Sequence, residues 1–446
     1  VMRVFQSLGL RAQVEAISRP GLQGMHFVNA QGETLMVRGG TASLGPHGCA
    51  TNYYFHQPEL EQVLRDGVGR YPNVQVRRRA EVTAIEEHAD HVALAVNDRA
   101  GGPAFTARAR WVVGCDGARS LVRRTLGSPM EDLGLRQPWL VFDVQLKDGA
   151  PALPEHTVQY CDPARPMTWC NVTGRRRRWE IMVMPGDDEA DLVKPETLWQ
   201  LVGRWMTPAH ADIERAVIYT FHSVIAERWR QGRIFLAGDA AHQTPPFLGQ
   251  GMCAAIRDAA NLAWKLEAVL RGRADDALLE TYASERAPHV QAFIELAVRL
   301  GDIIQTTDPQ AARERDARFQ AGQPEIFHFP APRLGPGVWQ GEHPQVAQIF
   351  PQPTLPDGRA LDAVVGLNFA LIAEPALLAS AASSERWAGL GVRCVPAQGA
   401  LSEWLNTQGV RAVLLRPDRY ILGVAGTADE LESLGARLPQ ASAVAH

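Results

Sequence analysis

Two apolar strands that each stop abruptly in a glycine–aspartate turn constrain this chain more than any other feature of its sequence. The first runs into Gly114-Cys115-Asp116-Gly117-Ala118-Arg119-Ser120 and then turns into a helix. The second, GRIFLAGDAAH, ends in Gly238-Asp239-Ala240-Ala241-His242 and passes through Pro245-Pro246 and Gly249-Gln250-Gly251 into a long helical pattern. Glycine lets backbone approach a ligand closely. A helix N-terminus offers free N–H groups and the positive end of its dipole, and an aspartate at such a turn can bind sugar hydroxyls. Taken alone, either turn reads equally well as a plain tight turn. Together they describe a nucleotide-cofactor site.

At 446 residues the chain is about three domains long at roughly 150 residues each. Residues 1–10 carry Val1, Val4, Phe5 and Leu8 at helical spacing with Gly9 as a stop. PELEQVLRDGVGR at 58–70 is an amphipathic helix with proline in its first turn. Short β-branched runs at 74–76, 81–87, 91–96 and 105–113 predict a meander, and PWLVFDVQL, HTVQYC and WEIMVMPG predict an inserted β-rich domain followed by a helix near 197–206. Residues 251–270 present one broad apolar stripe, and 276–304 form a second helix that contains Pro288. The Pro- and Gly-rich stretch 327–345 reads as a linker, and beyond it strands at 367–372, 392–396, 413–416 and 420–424 alternate with helices at 403–408 and 428–438. The division expected is 1–125 and 220–328 as two parts of an α/β cofactor domain, 126–219 as a β-rich substrate domain, 329–345 as linker and 346–446 as a small α/β domain.

Hydrophobic residues at 46% and charged residues at 21% place the chain among ordinary folded proteins. Its formal charge of -4 gives no global basic field, which argues against nucleic acid and anionic membrane surfaces as partners. No apolar run is long enough to span a membrane. Lys147, Lys194 and Lys265 are the only lysines, so a catalytic lysine is excluded from most positions. The six cysteines contain no C-x-x-C pair, which suggests neither a zinc site nor a disulfide framework and fits a reducing, cytoplasmic setting.

The two turns in this order, with a β-rich insertion between them, resemble the flavin-dependent aromatic hydroxylases related to para-hydroxybenzoate hydroxylase. RIFLAGDAAHQTPPFLGQGMCAAIRDAANLAWKL is similar to that family's second flavin signature and GCDGARSLVRR to its Asp-Gly motif, which serves both FAD and NAD(P)H. The subgroup most similar is that of 3-(3-hydroxyphenyl)propionate and phenol hydroxylases, whose C-terminal thioredoxin-like domain LLRPDRYILGVAG resembles. With no C-x-x-C there, that domain is not expected to do redox chemistry.

The resemblance implies an NAD(P)H-using monooxygenase that hydroxylates a phenol through a flavin hydroperoxide, with O2 and the phenol as partners and with a homodimer left open. It implies FAD contacts from Gln57, Asp116, Gly117, Gly238, Asp239, Gly249, Gln250, Gly251 and Met252, Asp239 holding the ribityl chain and 249–252 meeting the flavin's pyrimidine edge. It also places His242 where proton transfer could be assisted, although a structural hydrogen-bonding role fits it as well, and Pro245 and Pro246 at the wall facing the flavin. The family opens with a strand, a GxGxxG turn and a helix that receive the pyrophosphate; no such motif occurs in these residues, and its place would be some tens of residues before Val1.

Substrate residues are less legible. The run Arg175 to Arg178 could bind a carboxylate or phosphate, with a solvated hairpin as the better reading. Tyr160, Trp169 and Trp179 could line an aromatic pocket, with core packing as the default. The rivals are a polyketide-tailoring hydroxylase, a flavin halogenase, a reductase, or a cofactor-free binding protein of the same descent. A halogenase would need W-x-W-x-I-P, which is absent.

Overall fold

Alternation of apolar and polar residues over 130–226 supplies five strands of the dominant element, an eight-stranded sheet. The structure, a computed structural model, describes residues 1–39, 44–322, 333–379 and 381–439. The sheet order is His242–Gln243, Ala211–Ala226, Met130–Leu146, Arg176–Met182, Met167–Asn171, Thr157–Tyr160, Met25–Val28, Thr34–Arg38. All neighbours are antiparallel except Thr157–Tyr160 with Met25–Val28. One face buries Leu140, Phe142, Val144, Trp169, Trp179 and Ile181 against Leu198 of the helix Pro195–Leu201. Trp169 and Trp179 are therefore core residues, and Tyr160 packs partly buried against the same cluster. At one end of the opposite face, Trp139 and Met182 pack with Phe247 on the helix Ala277–Ile304.

The sheet overruns the expected 126–219 segment at both ends. Left alone, Thr157–Tyr160 would be an edge strand with unpaired backbone groups. The hairpin of Met25–Val28 and Thr34–Arg38, assigned from sequence to the cofactor domain, covers that edge. At the other end, Ala211–Ala226 runs past residue 219 and pairs with His242–Gln243.

Two other sequence expectations need correction, and one helix was not foreseen. The strand expected at 74–76 does not form; Val74 and Val76 are exposed, with no sheet partner to reward extension. The run 105–113 breaks into Phe105–Ala109, the last strand of a meander with Ala80–Glu87 and Val92–Asp98, and Val112–Gly114, which joins a different sheet. A helix at Pro309–Gln320, unmarked by apolar periodicity, is set by its cap: Asp308 accepts from the Ala311 N–H and Pro309 fills the first turn.

The C-terminal unit is a four-stranded sheet ordered Val392–Pro396, Phe369–Ala373, Ala412–Leu415, Ile421–Ala425, the first pair parallel and the others antiparallel. Described residues 333–345 of the expected linker contain no helix or strand, yet they are packed: the Val338 N–H donates to Glu285 Oε1 at 2.6 Å. Buried ion pairs bind this unit to the rest of the chain. Asp362 receives Arg3 at 2.7 Å and Arg419 at 2.9 Å. Glu285 receives Arg416 through both oxygens at 2.7 and 2.8 Å and Lys265 at 2.7 Å, all with side chains out of water. Burial alone would raise the Glu285 carboxyl, but Arg416 and Lys265 beside it hold it at about 2. Its stabilising contribution is therefore complete above the ordinary glutamate range and is lost as pH falls toward 2. Glu285→Ala, which strands the buried Lys265 and leaves Arg416 to Asp418 alone, is expected to cost about 3–5 kcal/mol in denaturant unfolding at neutral pH. Unchanged stability would show that the cluster contributes nothing.

Candidate functional site

The two glycine–aspartate turns meet because the strands before them are neighbours. Val112–Gly114 and Ile234–Leu236 pair in parallel, with Gly114 opposite Leu236, so both turns leave the same end of one small sheet. The Ala237 N–H then donates to Gly114 O at 2.9 Å. Gly114 must be glycine, since a Cβ there would lie 2.6 Å from the Cβ of Val122 in the following helix. Gly117 and Gly238 take left-handed backbone, φ 76° and 60°, as each strand turns away. Arg123, which sequence reasoning passed over, fastens the turns together: its Nη1 donates to Ala240 O at 3.0 Å and its Nη2 to Ala118 O at 2.8 Å. The GARSLVRR cations were visible in the sequence, but only the strand pairing shows what they reach.

Asp116 and Asp239 are used differently. The Asp116 carboxylate folds back on its own helix, accepting from Ser120 Oγ at 2.5 Å and from the Val122 N–H at 3.1 Å. Asp239 lines the main cleft and has no hydrogen bond or ion pair among the described residues. Desolvation by the surrounding turn raises its carboxyl above the usual value, with His242 opposing. Ala118 lines the same cleft, so both turns reach it.

His242 does not reach the cleft. It is wholly buried, and its Nε2 lies 2.7 Å from Asp258 Oδ2. Asp258, from the helix Gly251–Leu270, also accepts from the Gly238 N–H at 3.1 Å and from Arg286 Nε at 2.8 Å. Burial opposes ionisation of Asp258, but His242 and Arg286 together hold its carboxyl below the ordinary value. These buried groups clamp the Gly238 turn from behind, so the geometry gives His242 a structural place in that turn. Pro245 is buried behind the cleft as well, whereas Pro246 is on its wall.

The start of the long helix faces the cleft through Gly249, Gln250, Gly251 and Met252. No side chain caps it, so its first-turn N–H groups remain available to a ligand. A Cβ at Gly249 or Gly251 would meet nothing within 4 Å, which leaves an open cradle beside an unpaired aspartate. Those donors suit the electron-rich edge of a flavin, and Asp239 suits the hydroxyls of its ribityl chain, so the residues present fit FAD. Gln57 also lines the cleft, its amide tied to Glu61 at 3.0 Å within its own helix. The cleft encloses 2330 Å³, beyond the about 300–1,000 Å³ of a single small-ligand pocket. No cluster of side chains among the described residues could hold a metal ion.

The arginine run is largely spent on carboxylates. Arg176 meets Glu59 and Glu214, both at 3.2 Å, and Arg178 makes two bonds to Asp143. Arg175 pairs with Asp148 in the open.

Residues 1–297 match the FAD binding domain family and residues 347–441 the HcaD C-terminal domain family. A protein of Rhodococcus jostii named as a probable NADH-specific resorcinol 4-hydroxylase is 35% identical across 99% of this chain and 86% of its own length. A 3-(3-hydroxy-phenyl)propionate/3-hydroxycinnamic acid hydroxylase of Escherichia coli is 31% identical across 95% of this chain and 83% of its own. Among solved structures, a ternary complex of aklavinone-11 hydroxylase with FAD and aklavinone superposes with a TM-score of 0.81 at 23% identity, covering 98% of this chain and 90% of that one. The Streptomyces rimosus anhydrotetracycline hydroxylase OxyS gives 0.75 at 24%, covering 99% of this chain and 89% of that one.

If Asp239 holds the ribityl hydroxyls, Asp239→Ala is expected to weaken FAD binding about tenfold to a hundredfold in a fluorescence titration, through loss of a charged acceptor. An unchanged affinity would remove Asp239 from the cofactor site.

Proposed function

The chain belongs to the FAD binding domain family, and from that premise we propose that it is a flavoprotein monooxygenase that uses NADH to hydroxylate a phenolic aromatic compound. The observation that carries this reading is the convergence of two distant turns and an uncapped helix N-terminus on one cleft. FAD, reduced by NADH, would supply the oxygen chemistry. The protein's part follows from its own residues. Asp239 would hold the ribityl hydroxyls, while the N–H groups of Gly251 and Met252 would stabilise negative charge at the flavin edge, an effect of about 1 kcal/mol at a partly buried helix start. Pro246 would support the flavin face without moving. Trp139, Phe221 and Phe247, packed edge to face and offset, keep water from that end of the sheet.

A phenol substrate is favoured over a polyketide because the two relatives above, at 31% and 35% identity, are named for phenolic compounds, whereas the aklavinone and anhydrotetracycline hydroxylases lie below 25% and share the fold. The C-terminal sheet, with one parallel and two antiparallel pairings, supports a thioredoxin-like domain. Cys394 is its single cysteine, which supports a structural role for it. Among the described residues no helix is long and apolar enough to cross a membrane, and we place the enzyme in the cytoplasm.

NADH oxidation by the FAD-loaded protein should accelerate severalfold with resorcinol or 3-(3-hydroxyphenyl)propionate and yield a hydroxylated product identified by mass. NADH consumption that no phenol stimulates, or that leaves every phenol unchanged, would overturn the assignment.

A further inference from the structure

The cleft-facing side of the eight-stranded sheet carries one carboxylate, Glu180, that nothing among the described residues uses. Along Arg176–Met182, Trp179 and Ile181 enter the core, so Arg178, Glu180 and Met182 project to the other face. Arg178 and Glu180 line the cleft there. In register, Glu180 sits between Thr168 on one neighbouring strand and Val141 on the other. The polar groups around it are already matched. Arg178 is taken by Asp143 at 2.6 and 2.9 Å, and Thr168 Oγ1 donates to Gln159 Oε1 at 2.5 Å. Glu180 itself has neither a hydrogen bond nor an ion pair among the described residues.

Burial pushes its carboxyl above the ordinary glutamate value; Arg178 opposes the shift and Asp143 adds to it. A half-buried acid without a partner costs stability at neutral pH, and a fold that keeps one in a cleft points to a ligand that completes it. The ligand must bring a donor. A substrate carboxylate placed here would meet like charge, whereas a hydroxyl would find an acceptor on a strand held rigid from both sides.

Resting on the hydroxylase reading above, we propose that Glu180 is a catalytic residue of the substrate pocket: it accepts the proton of a phenolic hydroxyl, and it selects a ring that offers a hydroxyl, not a carboxylate, to the middle of the sheet. The O–H bond breaks, the proton moves to a Glu180 carboxylate oxygen, and the electron pair stays on the phenolate oxygen. That charge enriches the ring for attack by an electrophilic oxygen. The base acts only when ionised, so activity falls as pH drops through its raised pKa.

The test is Glu180→Gln in the full FAD-loaded chain, with 4-nitrophenol as a binding probe whose ionised form absorbs at longer wavelength. Wild type should shift the bound probe toward its phenolate, and the variant should not. The variant should also lose about 10²-fold in kcat/KM for resorcinol, together with the acid limb of the pH profile. Glu180→Asp should restore part of both. A raised folded pKa means that ionisation weakens the fold as pH climbs, so Glu180→Gln should melt at the same temperature or higher at neutral pH. A structural role would instead lower it. A variant within about twofold of wild type in kcat/KM, with an unaltered pH profile and probe spectrum, would overturn the proposal. If wild type itself shows no phenol-stimulated NADH oxidation yet shifts the probe through Glu180, the hydroxylase reading fails while proton acceptance by Glu180 stands.

Discussion

Parallel pairing of Ile234–Leu236 with Val112–Gly114 is the constraint on which the site depends. Hydrogen bonds between two three-residue strands put loops that are far apart in the chain at the same sheet end, and the rest of the architecture reinforces that placement. Asp258 holds the second turn from behind through Gly238 and His242, and Arg123 spans the gap between the turns. Without that pairing, Asp239 and the Ala118 turn would have no reason to share a cleft.

Five carboxylates around the site fall into two groups. Asp258, Glu285 and Asp362 are buried and matched with arginine, lysine or histidine, so each is ionised and structural. Removing one partner from such a set is costly because it leaves an uncompensated charge. Asp239 and Glu180 face the cleft, lack partners among the described residues, and have carboxyl pKa values raised first by desolvation. Stability has been given up at those two positions, which is the usual mark of groups kept for a ligand.

Local patterns carried much of the fold. The apolar stripe of Gly251–Leu270, the proline start of Gln57–Val68 and the strand ends at Gly114 and Leu236 were legible because each depends on near neighbours in sequence. The capture of Met25–Val28 and Thr34–Arg38 by the large sheet was not, since nothing in those residues says which edge they will cover. His242 shows the same limit within the site. The family resemblance put it near the flavin face with a structural role equally open, and the side to which its ring turns is set by Asp258 on a helix that starts nine residues later. Glu180 left a trace, a lone acid alternating with Trp179 and Ile181, yet its lack of a partner could be seen only once Arg178 was found on Asp143.

Hydrogen exchange with and without FAD tests the convergence of the two turns most directly. Slowed exchange is expected together at the amides of 114–120, of 236–241 and of 249–253, with little change in the C-terminal sheet. Protection confined to one of the two turns, or absent from both while FAD is bound, would contradict a shared site.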